Sequence, residues 1–333
     1  MKVQNKIRSK IIAGLLVSGT IALSACWSAQ AGSLRDRLVE RRIEQLQKQG
    51  ELELQDDQQA LNLKLPSGAQ VIRDVAYGDH ARQKFDIYLP PDSPANKNRP
   101  VILMVHGGAW RIGSKTARAV VENKMAHWLA QGYIFISTNY RLVPDATPLQ
   151  QAEDIAAALA LAQSQAAQWG GDARQFILVG HSAGAHLVSQ LAANSALMQR
   201  AGAQAWLGTI ALDIATYDIS KLMSEKHYPL YDKAFGNDPA LWRAMSPMST
   251  LTKNNVTQVG ARHFLAVCSS TREEHPCQQA QHFVDYANSL GLDARVLPQA
   301  LKHGEINDLL GKSNAYTDMV DQVIASWQPQ LPR

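Results

Sequence analysis

Phe176-Ile177-Leu178-Val179-Gly180-His181-Ser182-Ala183-Gly184-Ala185-His186-Leu187-Val188 is the stretch on which the fold turns. Its first four residues form a short apolar run of the kind found in strands buried on both faces. The residues from Ala185 onward read as a helix. Between the two, Gly180 and Gly184 bracket a serine and leave room only for a sharp turn. Such a turn lifts a hydroxyl above the end of a sheet, in a backbone conformation that side chains ordinarily avoid. The glycines are needed because a Cβ at either position would collide with the neighbouring strand or helix. Strand, strained turn and helix together make a seat for a nucleophile, Ser182.

Outward from this turn the chain alternates. Val71–Tyr77 and Lys84–Leu89 read as two alternating strands, the second closed by Pro90-Pro91. Val101–His106 and Tyr133–Ser137 are apolar runs suited to central strands. An alanine-rich helix from about Leu149 to Trp169 leads to the central strand, and further strands are expected at Gly208–Ile214, Phe264–Cys268 and Ala294–Leu297. The expected fold is α/β, with a mostly parallel central sheet and helices on both faces. About fifty residues separate Ile214 from Phe264, more than a plain crossover needs. With Tyr217, Tyr228, Tyr231, Trp242, Met245 and Met248 in that segment, part of it is expected to cap a pocket.

Several segments carry a resemblance: Phe85-Asp86-Ile87-Tyr88-Leu89-Pro90, His106-Gly107-Gly108-Ala109-Trp110, Asn139-Tyr140-Arg141-Leu142, Gly170-Gly171-Asp172, Gly180 to Gly184, and His303-Gly304-Glu305-Ile306-Asn307. From about residue 70 to 330 the chain resembles the α/β-hydrolase superfamily, in its esterase/lipase group of carboxylesterases and feruloyl-esterase-like enzymes. The resemblance implies a nucleophile elbow at Ser182 and an oxyanion loop of the HGGG type. The N–H groups of Gly108 and Ala109, with Gly107 as a further donor, and of Ala183 would bind the developing oxyanion. It implies a base just past the last strand, where His303 stands, with His106 bracing the loop and His181 and His186 pointing elsewhere. Tyr140, Arg141 and Asp154 are expected to form an ion-paired brace beneath the oxyanion loop.

The third triad member is open at this stage. Relatives often carry an aspartate in a G-x-x-D loop after the penultimate strand, where this chain has Ser269-Ser270-Thr271-Arg272-Glu273-Glu274. Glu273 is the first expectation, with Glu274 and Asp213 as alternatives. The activity implied is a serine carboxylesterase acting on short- to medium-chain acyl or aryl esters, with Trp110 and Tyr217 lining the pocket and no metal or organic cofactor. The alternatives are an amide-cleaving hydrolase (formamidase or peptidase-like) with the same triad, or a non-catalytic envelope protein that keeps the fold.

The net charge of +4 misleads, because Lys2, Lys6, Arg8 and Lys10 stand alone before the apolar run Ile11–Val17. Setting them aside leaves basic and acidic residues equal in number, which gives no argument for nucleic-acid binding. Basic start, apolar stretch and Leu23-Ser24-Ala25-Cys26 resemble a bacterial lipoprotein signal segment (residues 1–25) whose Cys26 is lipidated. That resemblance implies a lipid-anchored protein of the cell envelope, at the outer membrane and facing the periplasm of a Gram-negative bacterium. Residues 26–65 read as a tether with a charged amphipathic helix carrying Leu34, Leu38, Ile43 and Leu46. The hydrolase domain is expected over residues 66–333. Cys268 and Cys277 then remain as an even pair in an oxidising compartment and are expected to form a disulfide.

Overall fold

The computed structural model describes residues 63–91, 98–214, 216–258 and 261–327. The chain divides into residues 1–49 and 50–333, and every described residue belongs to the second part. The expected signal segment, Cys26 and the helix expected around Leu34–Leu46 therefore lie outside the described residues.

The apolar runs become strands where the sequence placed them: β1 (Gln70–Ala76), β2 (Lys84–Leu89), β3 (Arg99–Val105), β4 (Ile134–Thr138), β5 (Gly171–His181), β6 (Trp206–Leu212), β7 (Ala261–Ser269) and β8 (Asp293–Gln299). They form one sheet in the order β1-β2-β4-β3-β5-β6-β7-β8. β2 runs antiparallel to both β1 and β4, and the remaining neighbours are parallel. The expected α/β fold with a mostly parallel sheet is thus the observed one.

Strand periodicity sorts the core into two layers. Along β3, Val101, Leu103 and Val105 belong to one hydrophobic cluster while Ile102 and Met104 belong to the other. The first cluster packs under α2 (Pro148–Gln165), α3 (Ala183–Ala193) and α10 (Pro276–Ser289). The second packs under α1 (Arg118–Ala130) and α12 (Ala315–Trp327), where Trp128 and Trp327 are buried. Burial on both faces explains why β3, β4 and β6 are nearly continuous apolar runs.

Helix α2 starts where its sequence directs: Thr147 and Gln150 form a capping box and Pro148 opens the first turn. It ends at Gln165 and continues as a 3-10 turn, Ala166–Trp169, stopped by Gly170 in the left-handed region. The long segment after β6 is a run of short helices: α5 (Ile219–Ser224), α6 (Pro229–Phe235), α7 (Pro239–Ala244), α8 (Pro247–Thr250) and α9 (Lys253–Gln258). They follow α4 (Ser195–Ala201) in the helix numbering. A last short helix, α11 (His303–Asp308), stands between β8 and α12 and carries the candidate base.

Candidate active site

Ser182 occupies the junction between β5 and α3 with φ +56° and ψ −116°, a region that non-glycine residues rarely enter. Its N–H is held by the carbonyl of Leu212 at the end of β6, at 3.0 Å. The flanking glycines are required by contact rather than by φ. A Cβ on Gly180 would overlap the Gly184 carbonyl, and one on Gly184 would overlap the carbonyls of Val105 and His106. The elbow therefore packs directly against the end of β3, which is also where the loop bearing His106-Gly107-Gly108-Ala109-Trp110 begins.

That loop presses on the serine. A Cβ placed on Gly107 would lie 3.1 Å from the Ser182 Cβ and 3.0 Å from the His181 carbonyl. Gly108, Ala109 and Trp110 all have positive φ, and the Gly108 carbonyl receives the N–H groups of Arg111 and Ile112, both at 3.0 Å. This local turn ties up the carbonyl and keeps the backbone from forming a strand. Ala183 opens α3, where the first N–H groups have no acceptor within the helix. Its N–H, expected to be an oxyanion donor together with those of the glycine loop, thus lies at the start of a helix beside that loop.

His106 is structural. Its Nδ1–H donates to the Gly107 carbonyl at 2.7 Å, its ring stacks on Tyr140 at 4.4 Å, and its carbonyl accepts from the Tyr140 hydroxyl at 3.0 Å. Burial, helped by the nearby Arg82 charge, pushes its pKa down to about 3, so the ring stays neutral. Arg82 was not legible as a site residue, because only the β1–β2 hairpin brings it here. It donates to the Gly113 carbonyl at 2.7 Å and to the Tyr140 carbonyl at 2.9 Å, tying the far end of the loop to the segment after β4. The Arg141–Asp154 brace is present as a forked ion pair, with contacts of 2.7 and 2.9 Å.

The structure pairs His303, the candidate base, with Asp213, one of the two alternatives for the acid, and not with Glu273. His303 Nδ1 lies 2.6 Å from Asp213 Oδ2. Glu273, the first sequence expectation, is exposed on the loop after β7 and has no hydrogen bond to His303 among the described residues. Glu274 is also exposed and faces Arg272 at 3.4 Å. Asp213 wins because it follows β6 directly, with φ +51°, and its N–H is anchored to the Val267 carbonyl at 2.8 Å. That turn aims a fully buried carboxylate at the imidazole. Burial alone would push the Asp213 carboxyl up, but the His303 hydrogen bond, the Arg272 charge and the Ser269 N–H outweigh it and hold it below the ordinary range. Arg272 itself sits 2.7 Å from the same oxygen and 3.2 Å from His303 Nδ1.

Two neighbours fix the base. His181, expected to point elsewhere, sets its ring against that of His303, tilted by 38° with centroids 4.5 Å apart, and donates from Nε2 to the His303 carbonyl at 3.1 Å. Burial holds it neutral, with its pKa well below the usual value. Below, the buried Lys124 donates to the Asn307 carbonyl of α11 and to the Ala119 carbonyl. Burial lowers its pKa to about 7.

The pocket residues separate. Trp110 is buried beside Phe235 and Tyr231 of α6, with ring centroids 4.7 and 6.0 Å away, and its indole N–H donates to His186 Nδ1 at 3.3 Å. The post-β6 segment thus supplies the aromatic wall behind the oxyanion loop. Tyr217 does not share it: its ring lies flat on Phe283 at 4.4 Å and beside Phe264, in the core under α10. Its assignment to the pocket is corrected for that reason. Cys268 and Cys277 form the expected disulfide.

Known proteins resemble this chain in sequence and shape. It is 29% identical over 252 residues to the probable carboxylic ester hydrolase LipM of Mycobacterium tuberculosis, covering 73% of this chain and 57% of LipM. It is 34% identical over 152 residues to a probable isoprenylcysteine alpha-carbonyl methylesterase of Oryza sativa, covering 46% of this chain and 35% of that protein. The chain thus spans about a third to somewhat over half of these curated relatives. Among solved structures, esterase B of Lactobacillus rhamnosis superposes with a TM-score of 0.67 at 19% identity, covering 87% of this chain and 95% of that one. Esterase 2 of Thermogutta terrifontis, phosphonylated by sarin, gives a TM-score of 0.64 at 17% identity, covering 81% and 99%. These superpositions identify the α/β-hydrolase fold. The BD-FAE family profile matches residues 85–257, from β2 through the elbow to the short helices after β6 and just over half of the sequence, and the chain belongs to that family.

Proposed function

We propose that the protein is a serine carboxylesterase. One observation carries the reading: Ser182 sits in a strained left-handed conformation at the end of β5, with the backbone of Gly107 against its Cβ. A strained elbow under a glycine loop costs stability, and acyl transfer is what it serves. In this mechanism the Ser182 hydroxyl adds to the ester carbonyl carbon and its proton passes to His303 Nε2. The carbonyl oxygen becomes an oxyanion, received by the N–H groups of Gly108, Ala109 and Ala183. The carbonyl re-forms, the alkoxide leaves, and His303 gives it the proton. Water then adds to the acyl-enzyme, again losing a proton to His303, and the acid departs as the Ser182 hydroxyl is restored. Asp213 keeps the Nδ1–H of His303 pointed away from the serine and stabilises the imidazolium.

The relatives named as ester hydrolases, and the fold neighbour captured as a phosphonylated enzyme, support this reading. Short- to medium-chain acyl or aryl esters are the proposed substrates. What supports this choice is the aromatic cluster of Trp110, Tyr231 and Phe235 beside the oxyanion loop, which suits a compact acyl or aryl group. Lipid anchoring through Cys26 in the cell envelope is likewise proposed, on the residue pattern Leu23-Ser24-Ala25-Cys26. Partitioning of the Cys26→Ser variant into the soluble fraction would support it, and an unchanged membrane fraction would reject it.

The test of activity is turnover of p-nitrophenyl esters from acetate to palmitate, alongside the matching anilides, by the wild type and Ser182→Ala. Ester turnover that disappears with Ser182, peaks at short chains and exceeds anilide turnover is expected. Serine-dependent cleavage of anilides alone would replace the esterase reading with an amidase. Turnover that survives Ser182→Ala would reject Ser182 as the nucleophile.

A further inference from the structure

The Asp213 carboxylate receives more than the triad asks of it. Oδ1 accepts the Ser269 N–H at 2.8 Å, and Oδ2 is shared between His303 Nδ1 at 2.6 Å and Arg272 at 2.7 Å. With the Nδ1–H donated to Asp213, the 3.2 Å approach of Arg272 to Nδ1 is a contact between two donors, not a hydrogen bond. The guanidinium is therefore a fixed cation beside the ring that must become cationic during catalysis. Its loop is not free to drift. The Cys268–Cys277 disulfide closes it, and Ser269 Oγ and Thr271 Oγ1 both donate to the Leu301 carbonyl, two residues before His303.

We propose that Arg272 is a positioning residue for the Asp213–His303 pair: it holds Oδ2 in line with Nδ1 and opposes protonation of the imidazole in the resting enzyme. The inference rests on the esterase reading for its catalytic meaning, not for its geometry. The second effect follows from Coulomb's law at short range in a partly buried site. An imidazolium between Asp213 and Arg272 is stabilised by one and opposed by the other. Few other charges compete. Around His303, β5 contributes the neutral His181, the loop after β7 contributes Glu274, Lys302 caps the start of α11 and Glu305 lies in its first turn. From α1 comes Lys124, buried against the far end of α11, and α12 contributes the Tyr316 hydroxyl bonded to the Ile306 carbonyl. The short helices after β6 bring Tyr231 near Arg272 and Glu274. Arg272 is the only one of these cations within hydrogen-bond distance of both Asp213 and the imidazole.

The experiment uses the full chain and three variants: Arg272→Met, Arg272→Gln and Arg272→Lys. Turnover of p-nitrophenyl butyrate is followed at the isosbestic wavelength from pH 5 to 9. Rates are counted per active site titrated with a fluorophosphonate, so that misfolded protein does not enter. Arg272→Met is expected to lower kcat by about 10-fold or more and to move the acidic limb of kcat/KM upward by about one pH unit. Arg272→Gln keeps a donor without the charge and serves if the methionine variant does not fold, with the same shift expected. Arg272→Lys should return the limb toward the wild-type position and recover only part of kcat, because the ammonium lacks the guanidinium's fork. An acidic limb that stays put in both neutral variants overturns the proposal, whatever happens to kcat. The same question is asked without substrate by following the His303 imidazole titration by NMR. A midpoint that rises in the neutral variants supports the role of Arg272, and one that does not move overturns it. Loss of the esterase reading would show separately, as wild-type turnover independent of Ser182.

Discussion

His303 and Asp213, ninety residues apart, meet at 2.6 Å between Nδ1 and Oδ2, and the carboxylate is wholly buried. Because the imidazole can use only one tautomer against an ionised acid, replacing Asp213 with Asn should fix the wrong tautomer. Turnover should fall by about 10⁴-fold, as for loss of the orienting acid in other serine hydrolases, with thermal stability changed far less. Glu273→Gln should leave kcat within about twofold. Steady-state kinetics of the two variants decide between them, and a large loss in Glu273→Gln with an active Asp213→Asn would reverse the assignment.

The elbow, the oxyanion loop and His303 were legible because each is a local pattern. Gly180 and Gly184 announce their contacts by lacking side chains, and His303 follows a strand recognisable by its own residues. Asp213 was legible only as an alternative to Glu273, for a physical reason. Its role depends on a single left-handed residue after β6 and on the Val267 carbonyl that anchors its N–H, neither of which has a sequence signature. The charged loop Arg272-Glu273-Glu274 was a true signal read with the wrong sign: it was the cation, not the carboxylates, that reached the triad. Arg82 and Lys124 were invisible for a similar reason, being brought in by the packing of distant elements. Tyr217 shows the opposite failure, where an aromatic in a capping segment belonged to the core.

Gly107 and Gly184 should fail in different ways. A methyl at Gly107 meets the Ser182 Cβ at 3.1 Å and the His181 carbonyl at 3.0 Å, contacts that a small shift of the loop relieves. Gly107→Ala should therefore lose about 10²-fold in kcat through a displaced oxyanion loop, while the melting temperature moves little. A methyl at Gly184 overlaps two backbone carbonyls of β3 and its following residue, which cannot yield separately from the sheet. Gly184→Ala should destabilise the fold by about 3 kcal/mol or more. Melting curves and kcat measured together on both variants test the separation, and equal losses of stability would contradict it.

Three buried imidazoles make the fold sensitive to acid. Burial lowers the pKa of His106 to about 3 and of His186 to about 4, and holds His181 well below its usual value. All three are neutral when folded, whereas in the unfolded chain they titrate near 6.5. Below pH 6.5 the unfolded chain therefore binds more protons, and stability falls as pH falls. The slope reaches about 4 kcal/mol per pH unit when all three are counted and flattens only as the folded values are approached. Urea unfolding at pH 7, 6 and 5 measures it. His186→Gln retains an acceptor for the Trp110 indole and a donor for the Met245 carbonyl, and it should lower the slope by about a third. An unchanged slope would mean that His186 is not the neutral, buried group described.

The Cys268–Cys277 disulfide closes a loop of about ten residues, for which chain entropy allows roughly 3 kcal/mol of stabilisation. If that were its whole contribution, the double variant Cys268→Ser/Cys277→Ser would melt earlier and work normally below its melting point. The loop, however, carries Arg272 to Asp213 and is tied through Ser269 and Thr271 to the segment preceding His303. Freed of its cross-link, the loop should present the guanidinium for a smaller fraction of the time, so kcat should fall several-fold at temperatures where the fold is intact. The loss should also overlap with that of Arg272→Met: the triple variant should be little worse than Arg272→Met alone, because both changes remove the same contact. Additive losses would instead mean that the disulfide supports the triad by another route, and an unaltered kcat would confine it to stability.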